Sequence, residues 1–141
     1  MPIGINKNLL LGGSGGGAGA GDGSSADRAA SSAEALVAQG ITQDGTYWIN
    51  VPNAGPKQIY CLCNPSWNGG GWMMVMKATR GSTFQWESSY WTSNNTLNEG
   101  AHNTSDGDAK FATFNNYPGR DVLAIWPDLS ANRGCLNSGR G

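Results

Sequence analysis

Period-two alternation dominates the middle of the chain. Tyr47, Ile49 and Val51 alternate with Thr46, Trp48 and Asn50. After Pro52-Asn53-Ala54-Gly55-Pro56, the positions Ile59, Cys61 and Cys63 alternate with Tyr60 and Leu62. Two such runs around a Pro/Asn/Gly cluster predict an antiparallel hairpin with a five-residue connection. Asn64-Pro65-Ser66 and Asn68-Gly69-Gly70-Gly71 punctuate next. The run from Trp72 to Ala78 is apolar on both faces, which predicts a covered, central strand. Residues 80–110 read as a polar loop with embedded aromatics. Residues 122–126 form a last apolar run ended by Pro127, and residues 130–141 read as an irregular tail.

Ahead of the hairpin the period changes to 3.6. Ala26, Ala29, Ala30, Ala33, Leu36 and Val37 form a weak apolar stripe, with Ser24 and Asp27 spaced as in a capping box and Gly40 as a stop. This predicts a short helix over 24–40. Its alanine seam suits either packing on the following domain or close approach of a second copy. Further back, residues 12–23 hold eight glycines in twelve. Such a stretch gives reach but buries too little apolar surface to offset its ordering. Affinity for an attachment partner then falls to the apolar handle Ile3, Ile5, Leu9, Leu10 and Leu11.

The expected class is α+β, mostly β. A glycine-rich anchor arm (1–23) precedes the short helix (24–40), a small antiparallel sheet domain (41–129) and the tail (130–141). The chain has 141 residues, which suits one domain, and a net charge of −1. Its nine basic residues are scattered, which argues against a nucleic-acid partner. No run approaches the ~18 apolar residues of a membrane span. Residues 1–11 lack a leader's apolar core and cleavage site, so synthesis in the cytoplasm without membrane insertion is expected. Three cysteines, an odd number, fit a reducing compartment. Cys61 and Cys63 share one strand face, a poor geometry for a mutual bond, and pairing of either with Cys135 stays open.

Three motifs in order carry a resemblance. Asp44-Gly45-Thr46-Tyr47-Trp48-Ile49, Gln58-Ile59-Tyr60-Cys61 and Gly69-Gly70-Gly71-Trp72-Met73-Met74-Val75 resemble the opening of the fibrinogen C-terminal-like domain. The likeness covers residues 41–127, roughly the first half of the family domain. Lys110-Phe111-Ala112-Thr113-Phe114-Asn115 and the segment from Asp121 to Asp128 resemble fibrinogen-like modules of bacterial and phage appendage proteins. The resemblance gives Gly70 and Gly71 the role of a tight turn, Trp72 that of a buried anchor, and Cys61 a structural place in its strand. Secreted members pair that cysteine with one about thirty residues upstream, and here nothing upstream matches it. The family's calcium loop and glycan pocket lie in its second half. The resemblance therefore implies no cofactor or metal ligand in these residues, and calcium only in a half that would follow Gly141.

Catalytic constellations are not expected. His102 is the only histidine and reads as a solvated loop side chain. Asp106-Gly107-Asp108 resembles the start of a calcium loop but reads as an acidic turn without further oxygen ligands. The glycine-rich arm lacks the Lys-Ser/Thr ending of a phosphate loop. Trp67, Trp86, Trp91 and Tyr90 sit among Ser, Asn and Thr, the setting of a carbohydrate-stacking platform, yet small β-rich domains also fill thin cores with tryptophan. Core placement is expected, and ring exposure decides it.

The expected function is a non-enzymatic structural and adhesion component of a phage virion, a tail fibre or baseplate-attached fibre. Residues 1–23 would bind other virion proteins, and a fibrinogen-like domain would be displayed for a host-surface glycan. A homotrimer bundled by the helix over 25–39 would multiply a weak handle through avidity. A secreted, extracellular fibrinogen-like lectin and a passive connector or decoration protein of a capsid or tail are the alternatives. The ending at Gly141 does not look like a domain ending, so a longer polypeptide is expected.

Overall fold

The structure is a computed structural model that describes residues 21–79, 81–118, 121–125 and 133–136. The handle Ile3, Ile5, Leu9, Leu10 and Leu11 lies outside these residues. So do most of the 130–141 segment and any region after it.

Two strands, Gly45–Val51 (β1) and Gly55–Leu62 (β2), form the expected hairpin, with Tyr47 opposite Ile59 and Val51 opposite Gly55. The connection is tighter than expected, because Asn53 at φ 63° and Gly55 at φ 79° turn the chain in the left-handed region. Alternation then sorts the faces as the pattern requires. Ile49, Val51, Ile59, Cys61 and Cys63 point into the core, while Tyr60 and Leu62 face the other way.

The run from Trp72 is not one strand. It divides into Trp72–Met73 (β3) and Met76–Lys77 (β4). β3 pairs with β2 in a three-stranded sheet of order β1-β2-β3, and β4 pairs with Ala109–Lys110 (β5). The Met74 N–H donates to Tyr60 O, whereas Val75 O accepts from the Phe111 N–H. The segment is therefore bonded along both edges, and it breaks where its partner changes. After β5 comes a five-residue helix, Ala112–Asn116, which the sequence pattern did not predict. Val122–Ile125 (β6) pairs antiparallel with Arg133–Leu136 (β7), so the segment expected to be irregular contains a strand.

The helix expected over 24–40 is corrected. A single 3-10 turn, Ala26–Arg28, is followed by extended chain and then by a six-residue α-helix, Ala33–Ala38 (α1). The true N-cap is Ser32, whose hydroxyl accepts the Ala35 N–H at 3.1 Å. Ser24 instead donates its hydroxyl to Asp22 at 2.6 Å. The sheet edge outcompetes a helix here. The Ala30 N–H donates to Trp48 O and Ala30 O accepts from Asn50 N, a parallel bridge to Ile49 that covers the free edge of β1. The alanine seam is consumed in the same way. Ala30, Ala33 and Leu36 of this stripe are buried against the sheet with Ile49, Phe111 and Tyr117, so this part of the seam packs on its own domain. The molecule is α+β and mostly β, built from small antiparallel sheets.

Candidate functional site

The turn that feeds β3 is set by backbone geometry. Gly69, Gly70 and Gly71 have φ of 95°, 75° and 90°, closed to most side chains. At Gly70 a Cβ would run into the Cys63 carbonyl. Trp72 is buried beneath this turn and its Nε1 donates to Trp67 O at 2.6 Å. The Trp67 indole donates in turn to Asp44 Oδ2 at 2.7 Å, and Asp44 Oδ1 accepts the Asn64 N–H at 2.8 Å. Trp67 and Trp72 are thus structural. They also line a cleft of about 520 Å³ with Tyr60, Leu62, Leu123 and Ile125, and Lys77 and Asp106 stand at its edge.

Cys61 and Cys63 are free and buried side by side on the core face. Burial pushes the Cys61 thiol well above its ordinary value, with the Cys63 charge adding to it. Burial and the nearby Asp44 carboxylate push Cys63 up to about 11. Both are protonated thiols at neutral pH, poor nucleophiles and poor metal ligands.

The second aromatic group stands on the long polar loop. The loop is anchored at its base, where Asp108 Oδ1 accepts both the backbone N–H and the hydroxyl of Thr79 at 2.7 and 2.9 Å. These bonds, with one from Thr83, hold its carboxyl below the usual range. Asp108 is therefore a loop fastener. Among the described residues no group of three His, Cys, Asp or Glu side chains could hold a metal. His102 is half-buried, and its carbonyl accepts the Thr46 hydroxyl at 2.7 Å.

Higher in the loop, Ser89–Trp91 forms a 3-10 turn capped by the Ser88 hydroxyl, which accepts from Tyr90 N. Lys110 fastens this turn from below. Its side chain is 1 % exposed, and its ammonium donates to Tyr90 O and Ser93 O at 2.5 and 2.7 Å. It also lies 4.7 Å over the Phe114 ring. Desolvation pushes the amine below its ordinary value. Phe84 meets Tyr90 edge-on at 5.6 Å and Trp91 at 5.9 Å, and Trp91 leans on Phe114 at 6.4 Å. The Trp91 Nε1 donates to Gln85 O at 2.8 Å, which ties its indole to the backbone beside Trp86.

This arrangement corrects the expectation of core tryptophans. Tyr90 and Trp67 are half-buried, but Trp91 is 42 % exposed and Trp86 is 85 % exposed. The sequence brought the four residues together as one group, and the structure splits them. Trp67 belongs to the cleft; Trp86 and Trp91 both stand exposed on the loop, the Trp91 indole bonded to the carbonyl beside Trp86, and this exposed pair is the ledge. Lys110, the fastener of that ledge, was missed. A single lysine between Ala109 and Phe111 gave the only signal, and reading it required knowing that β5 is buried. In comparisons with protein-family models, with curated proteins and with solved structures, nothing matches this chain.

Proposed function

We propose that this chain is a structural and adhesion component of a phage virion, made in the host cytoplasm, that displays a fibrinogen-like module for a host-surface glycan. The observation that carries the reading is the ledge. Folding leaves Trp86 85 % in water while its neighbour Trp91 is held in place by ring contacts and an indole hydrogen bond. Large exposed aromatic surface on a rigid support marks a recognition site. The order of the three fibrinogen-like motifs along β1, β2 and β3 supports the module assignment, since they fall on adjacent strands of one sheet. The two buried free thiols support folding in a reducing compartment over the secreted-lectin alternative. In this reading residues 1–23 are the attachment arm, the fibre is a homotrimer, and the chain has no catalytic role and needs no cofactor.

Purified protein, fluorescently labelled, is expected to coat host cells, and periodate oxidation of the cell-surface glycans is expected to abolish the coating. Coating that survives periodate would overturn the glycan reading. Particles that retain the protein after deletion of residues 1–11 would overturn the arm assignment.

A further inference from the structure

We propose that the Trp86–Trp91 ledge is a binding site for neutral pyranose chains, an inference that rests on the glycan reading above and names the ligand class and the residues. Three properties of the loop lead there.

The first is ring presentation. A pyranose carries a face of C–H groups with slight positive charge, and an indole carries a negative π-face. Trp86 offers nearly its whole ring, and Trp91 offers the part that Phe84 and Phe114 leave open. Trp86 stands proud of the surface. A protein partner's anchor residue needs a surrounding rim that excludes water, and an 85 % exposed ring has none. A sugar ring stacked on it needs no such rim.

The second is charge. Residues 81–109 contain Glu87, Glu99, Asp106 and Asp108 and no lysine or arginine. Three cations touch this loop among the described residues, and each is engaged: Lys110 is turned inward onto Tyr90 O and Ser93 O, Lys57 pairs with Glu99, and Lys77 donates to Asn103 Oδ1 and Ser105 O. Phosphate and carboxylate groups are recognised by arginine and lysine forks, and the ledge presents neither. Uronic and sialic acids, phosphorylated polymers and nucleic acids therefore find no free cationic fork here among the described residues.

The third is the supply of hydrogen-bonding groups. Gln85, Glu87, Ser89 and Asn95 are exposed on the loop that carries the two indoles, and among the described residues their side chains make no intramolecular hydrogen bond. Amide and hydroxyl groups both donate and accept, as sugar hydroxyls do. The Glu87 carboxylate can accept from two adjacent hydroxyls at once.

The test uses the full chain, titrated calorimetrically with linear neutral hexaoses (gluco-, galacto- and manno-) and with a hexauronate. At least one neutral hexaose is expected to bind saturably. Trp86→Ala is expected to weaken it about tenfold, about 1.4 kcal/mol, with an unchanged thermal midpoint because the ring is exposed. Trp86→Phe should recover part of the loss. A hexauronate that binds more tightly than every neutral hexaose overturns the ligand class and leaves the adhesion reading intact. Neutral binding unchanged in both Trp86→Ala and Trp91→Ala overturns the ledge as the site. If none of the hexaoses binds, the same variants are applied to host cells. Loss of periodate-sensitive coating in Trp86→Ala supports the ledge, retention overturns it, and coating insensitive to periodate overturns the glycan reading itself.

Discussion

Replacing Lys110 by methionine tests how the ledge is held. The side chain is buried in β5, and among the described residues it has no carboxylate partner; two carbonyl oxygens and one ring face satisfy it. Each charge-assisted hydrogen bond contributes about 1.5–3 kcal/mol, and a partly desolvated cation–π contact about 1 kcal/mol. Against this stands a cost of several kcal/mol for keeping an ammonium away from water. Methionine fills the same space with little strain, so packing is nearly conserved. What it cannot do is bond Tyr90 O and Ser93 O. The balance predicts a loss of about 2 kcal/mol, or roughly 6 °C in thermal midpoint for a chain this size. Urea unfolding followed by circular dichroism measures the first. Acrylamide quenching in native buffer measures the local effect: Trp91 should become more accessible as the 3-10 turn loosens, while Trp86 is already open. A Lys110→Met protein within about 0.5 kcal/mol of the parent, the scale of an ordinary surface change, and with unchanged quenching would refute the account of Lys110 as a fastener.

Other outcomes follow from the same contacts. Cys63 rises from an ordinary 9.0 to about 11 in the folded state. A raised thiol binds its proton more tightly folded than unfolded. Its contribution is therefore fully present below pH 9 and drains away as pH climbs toward 11, by about 3 kcal/mol in all. Alkaline titration of stability should show this slope, and Cys63→Ala should reduce it, leaving the part that the likewise raised Cys61 contributes. Gly70→Ala should cost more than about 4 kcal/mol, since strain and collision with the Cys63 carbonyl combine. Gly69→Ala, at a similar φ but with open space around it, should cost only about 1–2 kcal/mol of backbone strain. Equal losses by chemical denaturation would contradict the collision argument. Tyr117 donates its hydroxyl to Ser31 O at 2.7 Å, so Tyr117→Phe should lower unfolding free energy by about 1 kcal/mol.

The sheet was legible where side-chain alternation and turn residues act locally. β1, β2 and their turn follow from Tyr47 to Cys63 without reference to the rest of the molecule. The helix over 24–40 was overread because its stripe is alanine, which promotes helix weakly through burial, and because Ala30 has a better use on the edge of β1. No local pattern announces a bridge between residues 30 and 49. β5 and the helix after it were invisible for the opposite reason. Two-residue pairing and a five-residue helix leave too few positions for a period, and a lysine in a buried strand contradicts the expected polarity. The ledge was half legible: the tryptophans and their polar neighbours stood out, but whether a ring is in water depends on contacts from Phe114, over twenty residues away. The coarse class, α+β and mostly β, needed none of these details.

The cover that residues 23–30 place on β1 also determines how the domain carries load. Gly23 O accepts from Trp48 N, and Ala30 bonds Trp48 O and Asn50 N, all on the outer edge of one strand. Gly23 N is tied to Arg28 O, and Gly21 O to the Gln39 side chain. A pull transmitted along the chain ahead of Gly21 therefore meets a knotted attachment before it reaches the hairpin. The Gln39 bond takes the tension first, then the closed loop of 23–28, and only then the bonds to Trp48 and Asn50. Force is spread over several short contacts on the outer edge of the three-stranded sheet, ahead of the seven paired positions of β1 and β2. A pull applied ahead of Gly21 would therefore release these contacts in steps before it loads the hairpin.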